Sequence, residues 1–214
     1  MTAISQSFSD ALARHLALFN NAQRYQPSAL SMLATLMDTL KQGGKVVWCG
    51  NGGSAADSQH LAAEFVVRYK NNRAGLASLA LTTDTSILTA CANDFGFEQV
   101  FARQVSALMR PEDVLVALST SGKSENVNLA VEAAKHLGAT TLALSGGGGG
   151  RLAQIADQVL CVESSETARI QEMHLFIGHW WCEALDEACE LGELGELGEL
   201  GELGELGELK GSGR

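Results

Sequence analysis

No apolar run in this 214-residue chain approaches the ~20 residues that cross a bilayer, so no membrane partner is expected. The first residues hold no basic stretch leading into an apolar core, so no secretion signal is expected. The five cysteines, Cys49, Cys91, Cys161, Cys182 and Cys189, form no CxxC pair and no zinc-ribbon spacing. They are odd in number and several lie in apolar runs, which reads as buried thiols in a reducing cytoplasm. Basic stripes are missing too, which argues against nucleic acid as a partner. The net charge is −10, and the segment Glu190–Arg214 supplies half of it, with seven Glu against Lys210 and Arg214.

That segment repeats Glu-Leu-Gly without variation from Glu190 to Gly207. It has no proline, so the glycine period is not that of collagen. A glycine at every third position costs a helix about 1 kcal/mol each, and a period of three lets leucine drift around the helix. Residues 190–214 are therefore read as a low-complexity, non-functional tail, and residues 1–189 as one domain. With 46% apolar residues the chain can bury a substantial core.

The body alternates. Apolar runs at Val46–Gly50, Leu76–Thr83, Val114–Thr120, Thr140–Ser145 and Gln158–Val162 read as strands. Helical segments fall at Ser54–Tyr69, Thr85–Ala92, Glu98–Met109, Ser124–Leu137 and Gly149–Ala156. Two more precede the first strand, at Ser5–Asn21 and Ser28–Lys41, and a long one follows the last, at Thr167–Ala188. This pattern predicts an α/β fold, a parallel five-stranded sheet with helices on both faces, preceded by N-terminal helices.

Three motifs carry chemistry. The first, Gly50-Asn51-Gly52-Gly53-Ser54, is a glycine turn from a strand into a helix, where backbone N–H groups and the helix dipole suit an anion. One further turn along, His60 and Glu64 share a helix face at i,i+4. The residues around Glu64 are largely apolar (Leu61, Ala62, Ala63, Phe65, Val66, Val67), so the helix is expected to be buried and its carboxylate to need a cation, a metal or a catalytic duty. In the second motif, Ser119-Thr120-Ser121-Gly122-Lys123-Ser124, four hydroxyls surround a glycine at a helix start. Capping needs one of them; four suit a phosphate. Neither motif is a Walker A loop or a dinucleotide fingerprint. Gly146–Gly150 reads as a flexible loop. The third motif, Arg169–His179, opens the last helix with Gln171, His174 and His179 in an apolar stripe. Gln171 and His179 are separated by a rise of about 12 Å, which strains their convergence on one ion and leaves His174 as a rival ligand.

Together these motifs, with Asn93-Asp94-Phe95-Gly96-Phe97 and Thr82-Thr83-Asp84, resemble the phosphoheptose isomerases of the sugar isomerase (SIS) superfamily, from the N-terminal helices to about Ala188. The resemblance implies a doubly wound SIS-type sheet, a homotetramer with active sites between subunits, and a cytoplasmic aldose–ketose isomerase for sedoheptulose 7-phosphate. It implies one zinc per subunit on His60, Glu64, Gln171 and His179. It implies substrate contacts from Asn51, Gly52, Gly53, Ser54, Glu64, Arg68, Asn93, Asp94, Ser119, Thr120, Ser121, Ser124 and Gln171. Glu64 is the candidate base for moving a proton between C1 and C2, and His179 the candidate acid for ring opening or for the oxygens. A carboxylate bound to zinc is a poor base, so Glu64 either leaves the metal in turnover or serves mainly to hold it. The rival reading is a non-catalytic SIS protein that binds the bacterial replication initiator. That type lacks the acid at the Glu64 position and the histidine at the His179 position; both are present here.

Overall fold

In the computed structural model, which describes residues 3–195, five parallel strands form one sheet in the order β2-β1-β3-β4-β5. The strands are β1 (Val46–Gly50), β2 (Ser78–Ala80), β3 (Val114–Ser119), β4 (Thr140–Gly146) and β5 (Gln158–Val162). The helices are α1 (Ala3–Phe19), α2 (Gln26–Lys41), α3 (Gly53–Val66), α4 (Thr85–Phe95), α5 (Ala102–Leu108), α6 (Glu125–Leu137), α7 (Leu152–Ile155) and α8 (Thr167–Glu190). Short 3₁₀ turns at Ala22–Tyr25 and Phe97–Gln99 complete the order.

The strand period of two sorts the core into two layers. Val46, Trp48, Val114, Val116, Leu118, Leu142, Leu144, Leu160 and Val162 face α2, α3 and α8. Val47, Cys49, Leu115, Ala117 and Ala143 face the layer of α4, α5, α6 and α7. The expected architecture is the one observed. β2 is shorter than the Leu76–Thr83 run: at the sheet edge only Ser78–Ala80 pair regularly, while Leu76 and Leu81 are still buried on either side. The helix expected at Gly149–Ala156 shrinks to Leu152–Ile155, because Gly147 to Gly150 all take positive φ. All five cysteines are free thiols, four of them buried. Among the described residues no helix is long and apolar enough to cross a membrane.

The fold also runs past the expected boundary at residue 189. α8 ends at Glu190 in a Schellman turn, with the Gly192 amide (φ +71°) donating to Cys189 O at 3.1 Å and the Glu193 amide to Ala188 O at 2.9 Å. Leu194 then inserts into the core, 2% exposed. The first repeats of the Glu-Leu-Gly segment are thus part of the body; the repeats from residue 196 on lie outside the described residues.

The order reverses between β1 and β3, and in an open parallel sheet the ligand crevice lies outside the carboxyl ends of strands at such a point. The first two motifs leave β1 and β3 there.

Candidate functional site

β1 ends at Gly50 beside Leu118 of β3, so the glycine turn and the serine loop are neighbours. Asn51 and Asn126 join them through two reciprocal amide hydrogen bonds of 2.8 Å. Asn126 is buried in the first turn of α6, and the sequence reading missed it. Gly52 caps α3 with φ +56°, a left-handed conformation that favours glycine. Gly53 leaves room for Gln171: a β-carbon there would displace the Gln171 side-chain amide. Ser54 is buried behind the turn, its carbonyl accepting from Ser58 Oγ at 2.8 Å.

The serine loop is built as a cradle. Ser119 Oγ donates to Ser124 Oγ at 3.2 Å, and Ser121 Oγ accepts the Lys123 amide at 3.2 Å. Ser119 is buried, Thr120 and Ser124 half-buried, Ser121 exposed. Gly122, at φ +63°, lets the loop turn. The glycine run expected to be a flexible loop is instead a packed buttress behind this cradle. A β-carbon on Gly122 would strike Gly149 O, and one on Gly150 would lie 2.6 Å from Gly122 O. Leu152 N donates to Gly122 O at 3.0 Å, and Ser145 Oγ to Ser119 O at 2.9 Å. Contacts this close cannot be read from composition, where consecutive glycines signal only freedom.

On α3 and α8 the reacting groups meet. His60 Nε2 and His179 Nε2 are 2.7 Å apart, and Glu64 Oε1 lies 3.8 Å from His60 Nε2. Tyr69 stacks on His179 with ring centroids 5.5 Å apart. Burial lowers the proton affinity of His179, the neighbouring His60 lowers it further, and Glu64 opposes both. α3 is less buried than its apolar sequence suggests: Leu61, Ala62 and Phe65 face the core, whereas Val66 and Val67 are exposed and Glu64 is half-buried.

Gln171 lies against Gly53 and interacts with Asp57, one turn nearer the start of α3 than His60. Asp57 is buried with Oδ2 unpartnered among the described residues; burial raises its proton affinity against Gln171 and His60. His174 is not in this cluster. It is fully buried, and its Nε2 donates to Ser145 O on β4 at 3.0 Å, which removes it as a rival ligand. Asn93 and Asp94 lie exposed at the end of α4, Asn93 Nδ2 donating to Asp94 Oδ1 at 2.8 Å. Exposed Arg68, beyond the end of α3, donates to Lys70 O at 3.2 Å.

Two imidazoles and a carboxylate, with the Gln171 amide farther along at Gly53 and Asp57, fit zinc in donor type. Among the described residues no three His, Cys, Asp or Glu side chains already form a cage. The two Nε2 atoms stand at hydrogen-bond distance, and an ion bound at the usual ~2.0–2.1 Å would separate them to about 3.3 Å.

The SIS domain family model matches residues 11–146. A phosphoheptose isomerase of Akkermansia muciniphila is 56% identical over 149 residues, 70% of this chain and 79% of the relative. The solved phosphoheptose isomerase of Neisseria gonorrhoeae superposes with a TM-score of 0.82 at 40% identity, over 86% of this chain and all of the other. That of Francisella tularensis gives 0.83 at 34% identity, over 87% of this chain and all of the other.

Proposed function

Because the chain belongs to the phosphoheptose isomerase family of SIS-domain proteins, we infer that the paired crevice and histidine cluster interconvert sedoheptulose 7-phosphate and D-glycero-D-manno-heptose 7-phosphate. The observation that carries the reading is the meeting of His60, Glu64 and His179 on two helices, one of which starts in the crevice beside the serine cradle. From Gly53 to His60 α3 rises about 10 Å. A seven-carbon sugar phosphate carries its phosphate and its reacting carbonyl at opposite ends, and the protein separates the two kinds of partner in the same way.

The serine loop holds the phosphate, with Ser119, Thr120, Ser121 and Ser124 offering hydroxyls and α6 its N-terminal dipole. The Asn51–Gly53 turn lines the sugar. Glu64 takes the proton from C1 of the ketose, whose electron pair becomes the C1–C2 double bond. The carbonyl oxygen on C2 takes a proton from His179, giving the enediol. Return of a proton to C2, with loss of the proton on O1, leaves the aldehyde at C1. His60, Glu64, Gln171 and His179 would hold zinc, which when bound polarises the carbonyl as a Lewis acid, and Glu64 and His179 would move protons only once released from it. Asn93, Asp94 and Arg68 are substrate contacts of the assembled enzyme. The homotetramer is part of the same proposal, and what supports a self-interface is α1, which presents Ile4, Phe8, Leu12 and Leu16, one stripe at a spacing of four, to solvent. The reported relatives are isomerases, and none speaks for the replication-initiator reading.

The test is incubation of purified protein with sedoheptulose 7-phosphate, scoring aldose phosphate with and without chelator. Turnover that chelator abolishes and zinc restores is expected. No turnover under any metal condition would overturn the reading.

A further inference from the structure

The two helices that carry the reacting side chains are joined by a buried ion pair that the chemistry above does not use. Arg73 lies in the loop after α3, and Asp186 on α8, two turns beyond His179. Their side chains are 2% and 1% exposed. Arg73 Nε donates to Asp186 Oδ1 at 2.6 Å. Its Nη2 donates to the carbonyl of Glu64 at 2.9 Å, and its Nη1 to those of Phe65 at 2.9 Å and Ala74 at 3.0 Å. Asp186 Oδ2 accepts the amides of Lys70 at 2.7 Å and Asn71 at 2.9 Å.

A buried, fully bonded ion pair is commonly a matter of structure alone. This one differs in where it ends. The carbonyls of Glu64 and Phe65 belong to the last turn of α3, where such groups have no partner within the helix. The guanidinium supplies that partner to Glu64, joins the Leu76 amide (3.0 Å) on Phe65, and is itself held by α8. Seven residues separate His179 from Asp186, close to two turns, so both lie on the α8 face that meets α3. Along that face the helices touch at Gly53 with Gln171, at Leu61 with Gly178, where a β-carbon would collide with the leucine, and through Arg73 at Asp186. The contacts advance in the same direction along both helices. The first two set the approach; the last fixes the main chain of Glu64 itself.

We propose that Arg73 and Asp186 are positioning residues of the isomerase, a clamp that seats the end of α3 on α8 so that His60 and Glu64 face His179. The proposal rests on the assignment of Glu64 and His179 to proton transfer.

The control is built into the fold. Asp113 is also buried, accepting the amides of Lys45 and Arg110 at 2.9 and 2.8 Å and Lys45 Nζ at 2.5 Å, but at the amino ends of β1 and β3, away from the crevice. In the full chain, Asp186→Asn should lower kcat for sedoheptulose 7-phosphate tenfold or more while KM moves less than twofold. Asp113→Asn should lower the melting temperature and leave kcat within twofold. If both variants melt earlier and both keep kcat, the clamp is only structural and the proposal falls. Should Asp186→Asn fail to fold, Arg73→Lys, which keeps the charge but cannot span the carbonyls and the carboxylate together, carries the same expectation. Hydrogen exchange on the unmodified protein reads the clamp whether or not Glu64 is the base. The Lys70 and Asn71 amides, though in a loop, should exchange as slowly as the strand amides of Trp48 and Val116, and exchange at the rate of an open loop would overturn the clamp.

Discussion

A carboxylate 3.8 Å from an imidazole on an exposed helix face would ordinarily be a weak surface pair; what changes the reading of Glu64 is the second imidazole, brought from 119 residues away. Glu64→Gln keeps the shape and removes the proton-accepting power, so kcat should fall at least ~100-fold with assembly unchanged. Near-normal turnover of the heptulose phosphate would show that the base is elsewhere. Gly53→Ala tests the other end of the site. Its methyl group would displace the Gln171 amide, so the variant should fold while losing affinity for zinc, measured by competition with a chelating dye. Unchanged affinity would remove Gln171 from the ligand set. His174 carries a pH effect of its own. Burial pushes its proton affinity down to about 4 from the ordinary 6.5, against the Ser145 carbonyl that would favour the charged form. Above pH 6.5 neither the folded nor the unfolded chain is protonated there, and the group contributes nothing. Between 6.5 and about 4 the unfolded chain takes up a proton that the fold refuses, and stability falls by up to roughly 3 kcal/mol. Melting temperature should therefore drop across that window, and less steeply in His174→Gln. Parallel pH curves for the two proteins would rule this out.

At the scale of elements, legibility followed contact distance. β1 and β5 match their expected bounds because short β-branched runs between turn residues are local signals. The placement of both loops on one crevice also followed from local pattern, since strand ends of a parallel sheet gather ligands. What was not legible came from pairs far apart in the chain: the Asn51–Asn126 bridge, the seat of Gln171 on Gly53, the burial of His174 against β4, and the Arg73–Asp186 pair. No periodicity encodes these. The long rise from Gln171 to His179 persists in space, where the two side chains meet different parts of α3. α8 runs alongside α3 in the same direction, so Gln171 meets the start of α3 and His179 meets its middle. The serine cradle is where such an element can be tested. Ser121→Ala removes an exposed hydroxyl that accepts only the Lys123 amide, so fold stability should hardly change. Substrate binding should weaken by about 1–3 kcal/mol, the scale of a charge-assisted hydrogen bond, seen as a raised KM and a weaker inhibition by inorganic phosphate. If neither constant moves, the phosphate sits elsewhere.

Across the whole molecule the start of the Glu-Leu-Gly segment belongs to the fold. Glycine at every third position makes a poor helix, yet the same glycine at the right place ends one well: Gly192 adopts the left-handed turn, the Glu193 amide reaches back to Ala188 O, and Leu194 closes the bottom of the core beside Ala188 and Cys189. The first repeat after α8 therefore does the work of a helix cap and a core residue. A chain ending after Gly195 should match the full protein in melting temperature and turnover. A chain ending after Cys189 loses the Schellman turn and the buried leucine. Burying a leucine is worth about 1.5–3 kcal/mol, and in a protein of this size each kcal/mol moves the melting temperature by roughly 2–4 °C. The shorter chain should thus melt roughly 5–10 °C lower, yet turn over substrate normally well below its transition, because Leu194 lies far along α8 from His179. Differential scanning calorimetry of the three lengths, with kcat measured at one low temperature, separates the contributions. Equal melting of all three would show that the cap is idle, and a loss of stability on removing residues 196–214 alone would show that those residues contribute to stability.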